Sequence, residues 1–196
     1  MLPVVLQNEP INFDSEVRQP GLIFLLQKPN PVEKEWKGKE YWQKSLPDLR
    51  RNNNKICAYS ATWIPHSTGS HSIDHFVPKN ITPNLAYEWS NFRYVSARFN
   101  SRKGLKKIVD PHTMTFNWFI IDFGTFFIQP NSSLLEPRQL TLAYDTIKIL
   151  KLNDDEELVN ERLEFFMAYK NQDINFAYLH KVAPFLAGEM KRQKLL

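Results

Sequence analysis

Cysteine is almost absent from this chain: Cys57 is the single one in 196 residues. That excludes an intramolecular disulfide and a zinc site built from cysteines alone, and it fits a reducing compartment. Long hydrophobic runs are missing too. The longest, over residues 118–128, is interrupted by Asp122 and Gly124, well short of the roughly 18 consecutive apolar residues that cross a bilayer. The start, MLPVVLQNEPINFDSEV, lacks the basic residues and apolar core of a secretory leader. There is no internal repeat and no low-complexity tract. Together these absences lead to the expectation of a soluble cytoplasmic protein with no membrane partner.

Aromatic residues are abundant, with 14 Phe, 7 Tyr and 5 Trp, so the chain can bury enough apolar surface to fold. Its length suits one domain with a true core. The net charge is +4 and the isoelectric point about 9.1, a balance that favours acidic partners. The surplus is local. Residues 93–107 carry Arg93, Arg98, Arg102, Lys103, Lys106 and Lys107 without a single acid, whereas residues 153–164 read NDDEELVNERLE.

The order of patterns predicts an α+β fold in three segments. Residues 1–54 read as an N-terminal extension, with a short strand over the apolar run 21–26 and one or two short helices between 33 and 51 that Pro47 breaks. Residues 55–110 read as the central unit. In it, a hairpin has arms at 71–77 and 92–96, and a helix over 97–107 ends near Gly104. Residues 111–196 read as a strand pair, 118–122 and 125–129, followed by a helical lobe. The lobe divides into a helix with Leu140, Ala143, Tyr144, Ile147 and Leu150 on one face, a second capped by Asn153 or Asp154, and a third over 174–193 that Pro184 kinks or divides.

The chemistry concentrates in IDHFVPKNITPNLAYEWSNFRYVSARFNSRKG, residues 73–104. Asp74 and His75 are adjacent, so on a strand their side chains point to opposite faces. The carboxylate can then hold a cation while the imidazole takes a proton from an attacking water. Asn100, on the helix after the second strand, can add a second oxygen ligand. Two oxygen donors leave positions for water and phosphate, which suits Mg²⁺ or Mn²⁺ better than zinc. The basic residues Arg93, Arg98, Arg102, Lys103, Lys106 and Lys107 are the expected contacts to a nucleic-acid backbone.

Asp74-His75, Pro78, Asn91, Asn100 and Lys103-Gly104 stand in the order and spacing of a known pattern. About 50 residues here resemble the HNH endonucleases of the ββα-metal class. The resemblance implies a ββα-metal core, with His75 as general base, Asp74 and Asn100 as metal ligands, and Asn91 bracing the loop so that the base is oriented. Many members carry a zinc knuckle from paired cysteines. At the corresponding places this chain has Cys57-Ala-Tyr-Ser60 and Ser96-Ala-Arg-Phe99, so no structural zinc is expected, and Tyr59, Trp63, Phe92 and Tyr94 are the candidates to hold the hairpin by packing.

The functional expectation is a metal-dependent endonuclease acting on double- or single-stranded DNA. Two alternatives stand beside it, a catalytically weak nucleic-acid-binding or assembly subunit, and an HNH-type RNase. A nuclease this small endangers its host, so the helical lobe from 137 onward is expected to dock a regulatory partner such as an ATPase, as in phage-defence or restriction systems. His66 and His71, in TWIPHSTGSH, read first as part of a polar loop and second as an extra ligand or phosphate donor. Asp110 marks the turn leaving the helix beside His112, and Cys57 reads as a small buried apolar residue. The aromatics at 118, 119, 123, 126 and 127 read as packing rather than a base-stacking platform.

Overall fold

A computed structural model describes all residues, 1–196. The chain forms helices and two small antiparallel sheets, an α+β arrangement. It divides into two compact units that do not follow the three sequence segments. One comprises Val5–Lys55 and Ile64–Leu105; the other comprises Met1–Val4, Ile56–Trp63 and Lys106–Leu196. These units cut across the expected segments: the N-terminal segment shares a unit with the hairpin. Residues 56–63 and everything from 106 belong to the other unit.

In the first unit, α1 spans Gln19–Gln27, running on from a π-helical turn at Asp14–Arg18. Residues 21–26, expected as a strand, are therefore helical. Pro20 sits in the first turn, where its missing N–H costs nothing. Gly21 is required at its place because a Cβ there would run into the ring of buried Tyr87. Short 3₁₀ turns at Glu33–Trp36 and Tyr41–Ser45 lead into α2, Leu46–Asn52. Pro47 starts that helix rather than breaking one. Phe24, Trp36, Trp42 and Tyr87 form one aromatic cluster with edge-to-face and tilted pairs at 5.6–6.3 Å.

Strands β1, His71–His75, and β2, Phe92–Ser96, pair antiparallel with His71 opposite Ser96 and His75 opposite Phe92. Helix α3, Ala97–Lys103, follows directly. It ends at Gly104, whose φ of +50° and N–H bond to the Asn100 carbonyl close the last turn. The expected helix is thus shorter by four residues. Lys106 and Lys107 lie beyond it and in the other unit.

The second unit carries the hairpin of β3, Phe119–Asp122, and β4, Phe127–Pro130. Its turn is fixed by the Asp122 carboxylate, which accepts from the Gly124 N–H and the Thr125 hydroxyl. Four helices follow: α4 Pro137–Leu150, α5 Glu156–Lys170, α6 Phe176–Val182 and α7 Pro184–Arg192. The cap of α5 is Asp155 rather than the expected Asn153 or Asp154. Asn153 instead bonds both backbone groups of Ile128 on β4. Pro184 does divide the last helical stretch. Buried Glu189 on α7 accepts the Ile121 N–H at 2.9 Å, tying helix to hairpin. Cys57 is buried here with Tyr59, so Tyr59 and Trp63 fall outside the unit of the β1–β2 hairpin. No helix is long and apolar enough to cross a membrane.

Candidate active site on the β1–β2–α3 element

Strand alternation sorts β1 into two faces. His71, Ile73 and His75 share one with their partners Tyr94 and Phe92; Ser72 and Asp74 share the other, on which α3 packs. The neighbours Asp74 and His75 are thereby separated onto opposite sides of the sheet.

The His75 ring is held by aromatic edges. Trp42 meets it at 4.7 Å and Phe92 at 5.4 Å, both nearly perpendicular. Its Nε2 lies 2.9 Å from the Ala86 carbonyl oxygen. A carbonyl only accepts, so Nε2 carries the proton and Nδ1 keeps its lone pair. Burial lowers the imidazole pKa from 6.5 to about 4. The Ala86 carbonyl opposes that shift, while the nearby Lys79 and Lys103 ammonium groups add to it. At neutral pH the ring is an uncharged base.

Asn91 ties the connection between the strands. Its Oδ1 accepts the Val77 N–H at 2.8 Å, and its Nδ2 donates to the Val77 and Leu85 carbonyls at 3.0 Å. The Asn91 carbonyl also accepts from the Phe76 N–H. One buried side chain therefore fixes both ends of the loop that presents the Ala86 carbonyl to His75. Segment 5–55 clamps the same loop: Trp89 Nε1 donates to the Gln7 carbonyl at 2.7 Å, and the Tyr87 hydroxyl to the Lys39 carbonyl at 2.9 Å.

On the other face, Asn100 reaches from α3 to β1, its Nδ2 donating to Ser72 Oγ at 2.6 Å and the Ile73 carbonyl at 3.1 Å. With the amide nitrogen committed, Oδ1 is the atom left to act as a ligand. Asp74 is 3% exposed, and its Oδ1 receives the Lys103 ammonium at 3.0 Å; Lys103 is 1% exposed and also donates to the His75 carbonyl at 3.1 Å. In kind, the Asp74 and Asn100 oxygens suit a hard divalent cation that keeps much of its water. Lys103 sets the condition for loading, because a cation must share the carboxylate with it or displace it.

Two of the six cations expected on nucleic acid are buried and bonded within the protein. Lys103 serves Asp74. Arg93 is 4% exposed and donates to the Ser90 and Phe92 carbonyls. Both charges lie over the Phe76 ring, at 4.9 Å for Arg93 and 5.5 Å for Lys103. Arg98 on α3 is exposed, and Arg102 is half-buried over the Phe99 ring. Lys106 and Lys107 are exposed in the other unit. The six therefore do not form one helical face.

Sequence reasoning missed the role of Lys103, although the signal was present: positions 100 and 103 of one helix share a face, so a helix that aims Asn100 at β1 aims Lys103 there too. It also missed Trp42, whose link to His75 has no local sequence mark. His71 lies at the other end of β1 from His75, with Nδ1 2.7 Å from the Tyr94 hydroxyl. His112 is outside the site, its N–H bonded to the Asp110 carboxylate in the expected turn.

No protein-family model matches this chain. A curated relative, Septu protein PtuB of Bacillus thuringiensis, is 29% identical over 131 residues, a stretch covering 64% of this chain and 46% of that protein. The chain thus spans about half the length of the relative it matches.

Proposed function

We propose that this protein is a divalent-metal-dependent endonuclease of the HNH type that hydrolyses DNA phosphodiester bonds. The observation that carries the reading is the placement of Asp74 and His75 on opposite faces of β1, with Asn100 reaching onto that strand from α3 and Asn91 fixing the loop behind the base. In this reading His75 Nδ1 takes a proton from water as the oxygen attacks phosphorus. The bond to the leaving oxygen breaks in line, and that oxygen takes up a proton. The Ala86 carbonyl holds the tautomer, and the Trp42 and Phe92 edges hold the ring plane. Mg²⁺ or Mn²⁺ held by Asp74 and Asn100 would supply neutralisation of charge on the phosphate and leaving oxygens.

The test is cleavage of supercoiled, linear and single-stranded DNA, and of RNA, with Mg²⁺, Mn²⁺ or EDTA. His75→Ala should be slower by about 10² to 10⁴. Equal rates for parent and variant would refute the assignment, and cleavage of RNA alone would move it to an RNase.

A second reading has its own support. Lys103 occupies the Asp74 carboxylate, which suits a catalytically weak nucleic-acid-binding or assembly subunit. Absence of divalent-dependent nicking, with DNA binding retained, would favour it. The likeness to a Septu protein is consistent with a role in phage defence. A regulatory partner such as an ATPase belongs to the same proposal, and size-exclusion chromatography with neighbouring gene products tests it.

A further inference from the structure

Three nitrogen atoms in the first unit are buried without a hydrogen-bond partner, Trp36 Nε1, Arg50 Nε and His71 Nε2, and the last two belong together. A buried donor left unsatisfied costs about 1–3 kcal/mol, so a pair in one neighbourhood calls for an explanation. They do share one, since α2, which carries Arg50, packs on β1 and β2, and the Arg50 charge is among the forces that lower the His71 pKa, after burial. The His66 ring stands 6.0 Å from that of His71. The His66 carbonyl acts on His71 in the opposite sense, favouring the charged ring. His66, Ser67 and Thr68 are exposed, on a turn closed by the Gly69 N–H bond to the Pro65 carbonyl.

The chemistry of the cluster is one-sided. A guanidinium only donates; the Nδ1–Tyr94 hydroxyl contact fits either tautomer of a neutral ring, and once the ring is protonated His71 Nε2 is an N–H donor as well. The charged groups acting on His71 are Arg50 and His66, both basic. A water could satisfy one of the donors; an anion satisfies both and balances the field.

We propose that Arg50, His66 and His71 form an anion site whose ligand is a phosphate group. His71 and His75 lie on the same face of β1. Four residues of strand separate them, about 13 Å at roughly 3.3 Å per residue, the axial length of about four nucleotides of one strand at roughly 3.4 Å each. The site therefore receives a backbone phosphate of the strand whose scissile bond lies at His75, and it fixes where along that strand the cut falls. That choice of source rests on the nuclease reading; the anion site does not.

The experiment uses the full chain in EDTA, so that cleavage plays no part. Titration with inorganic phosphate is followed through the ¹⁵N-labelled imidazoles, and binding of labelled oligonucleotides through anisotropy. Phosphate should shift His71 saturably in the parent and in Arg50→Lys but not in Arg50→Gln. Oligonucleotide affinity should fall about tenfold in Arg50→Gln, and the log–log salt slope should flatten by about 0.9 on duplex or 0.7 on single strands. A phosphate response without an oligonucleotide effect assigns the site to free phosphate. No shift of His71 by either ligand, together with unchanged affinity in Arg50→Gln, overturns the site. Loss of nuclease activity as a property of the parent, with these binding results intact, would overturn the nuclease reading alone.

Discussion

Replacing Lys103 with methionine tests whether Asp74 is a cation site. Methionine keeps the length of the stem, so the perturbation is the loss of the ammonium, with its place over the Phe76 ring and its bond to the His75 carbonyl, next to a carboxylate that is 3% exposed. Removing one partner of a buried ion pair costs about 3–5 kcal/mol, because the remaining charge is left uncompensated. For a chain of this size each kcal/mol moves the midpoint by about 2–4 °C. Lys103→Met should therefore melt roughly 6–20 °C below the parent in EDTA. If a divalent cation binds the Asp74 and Asn100 oxygens, it takes over the charge balance and returns stability by mass action, about 2.7 kcal/mol at a hundredfold excess over Kd. Thermal melts in EDTA and across a series of Mg²⁺ or Mn²⁺ concentrations read both effects. The double variant Asp74→Asn/Lys103→Met, which removes both charges of the pair, should recover part of the loss and ignore the cation. A single variant that melts low and does not rise with Mg²⁺ or Mn²⁺ would refute Asp74 as a ligand. One that melts with the parent would refute the energetic argument for the pair.

Asn91→Ala leaves the Val77 N–H and the Val77 and Leu85 carbonyls without their side-chain partner; a loss of about 2–4 kcal/mol is expected from chemical denaturation. His75 has a folded pKa of about 4 against an ordinary 6.5, so the unfolded chain binds more protons between those values. Its contribution to stability is complete above pH 6.5 and is lost as pH falls towards 4. Urea midpoints of the parent should fall across that window more steeply than those of His75→Gln, and parallel curves would contradict the buried ring. Gly21→Ala forces a methyl against the Tyr87 ring and should destabilise by about 1–3 kcal/mol, seen as a lower melting temperature.

The hairpin and its helix were legible because their punctuation is local. Turn residues bound 71–77 and 92–96, and Gly104 supplies the positive φ that stops α3. The C-terminal helices were legible from periodicity and from Pro184. Residues 21–26 were not, because an unbroken apolar run has no period to separate strand from helix. What decides it is the fit of Gly21 against Tyr87, a contact some 66 positions away in sequence. The basic stretch 93–107 misled for a similar reason. Charge alone suggests a solvated face, whereas alternation along β2 puts Arg93 on the side of Asp74, and helical spacing turns Lys103 inward with Asn100. The interlacing of the units left no mark at all, since residues 56–63 differ little in composition from their flanks.

That interlacing governs how the protein can be made and divided. The unit with the candidate site is written in two pieces, Val5–Lys55 and Ile64–Leu105, and the stretch Ile56–Trp63 between them belongs elsewhere. Ile56 and Trp63 bridge each other at the two ends of that stretch, and the Trp63 N–H donates to the carbonyl of Val182, more than a hundred residues downstream. On the ribosome, every residue of the site-bearing unit is therefore made before the last partner of this inserted stretch exists. A fragment ending near Leu105 would carry the whole candidate site yet leave Cys57, Tyr59 and Ala61 without most of the core that covers them. The site is not a cassette: a graft or truncation that keeps it in working order has to replace residues 56–63 with a plain linker.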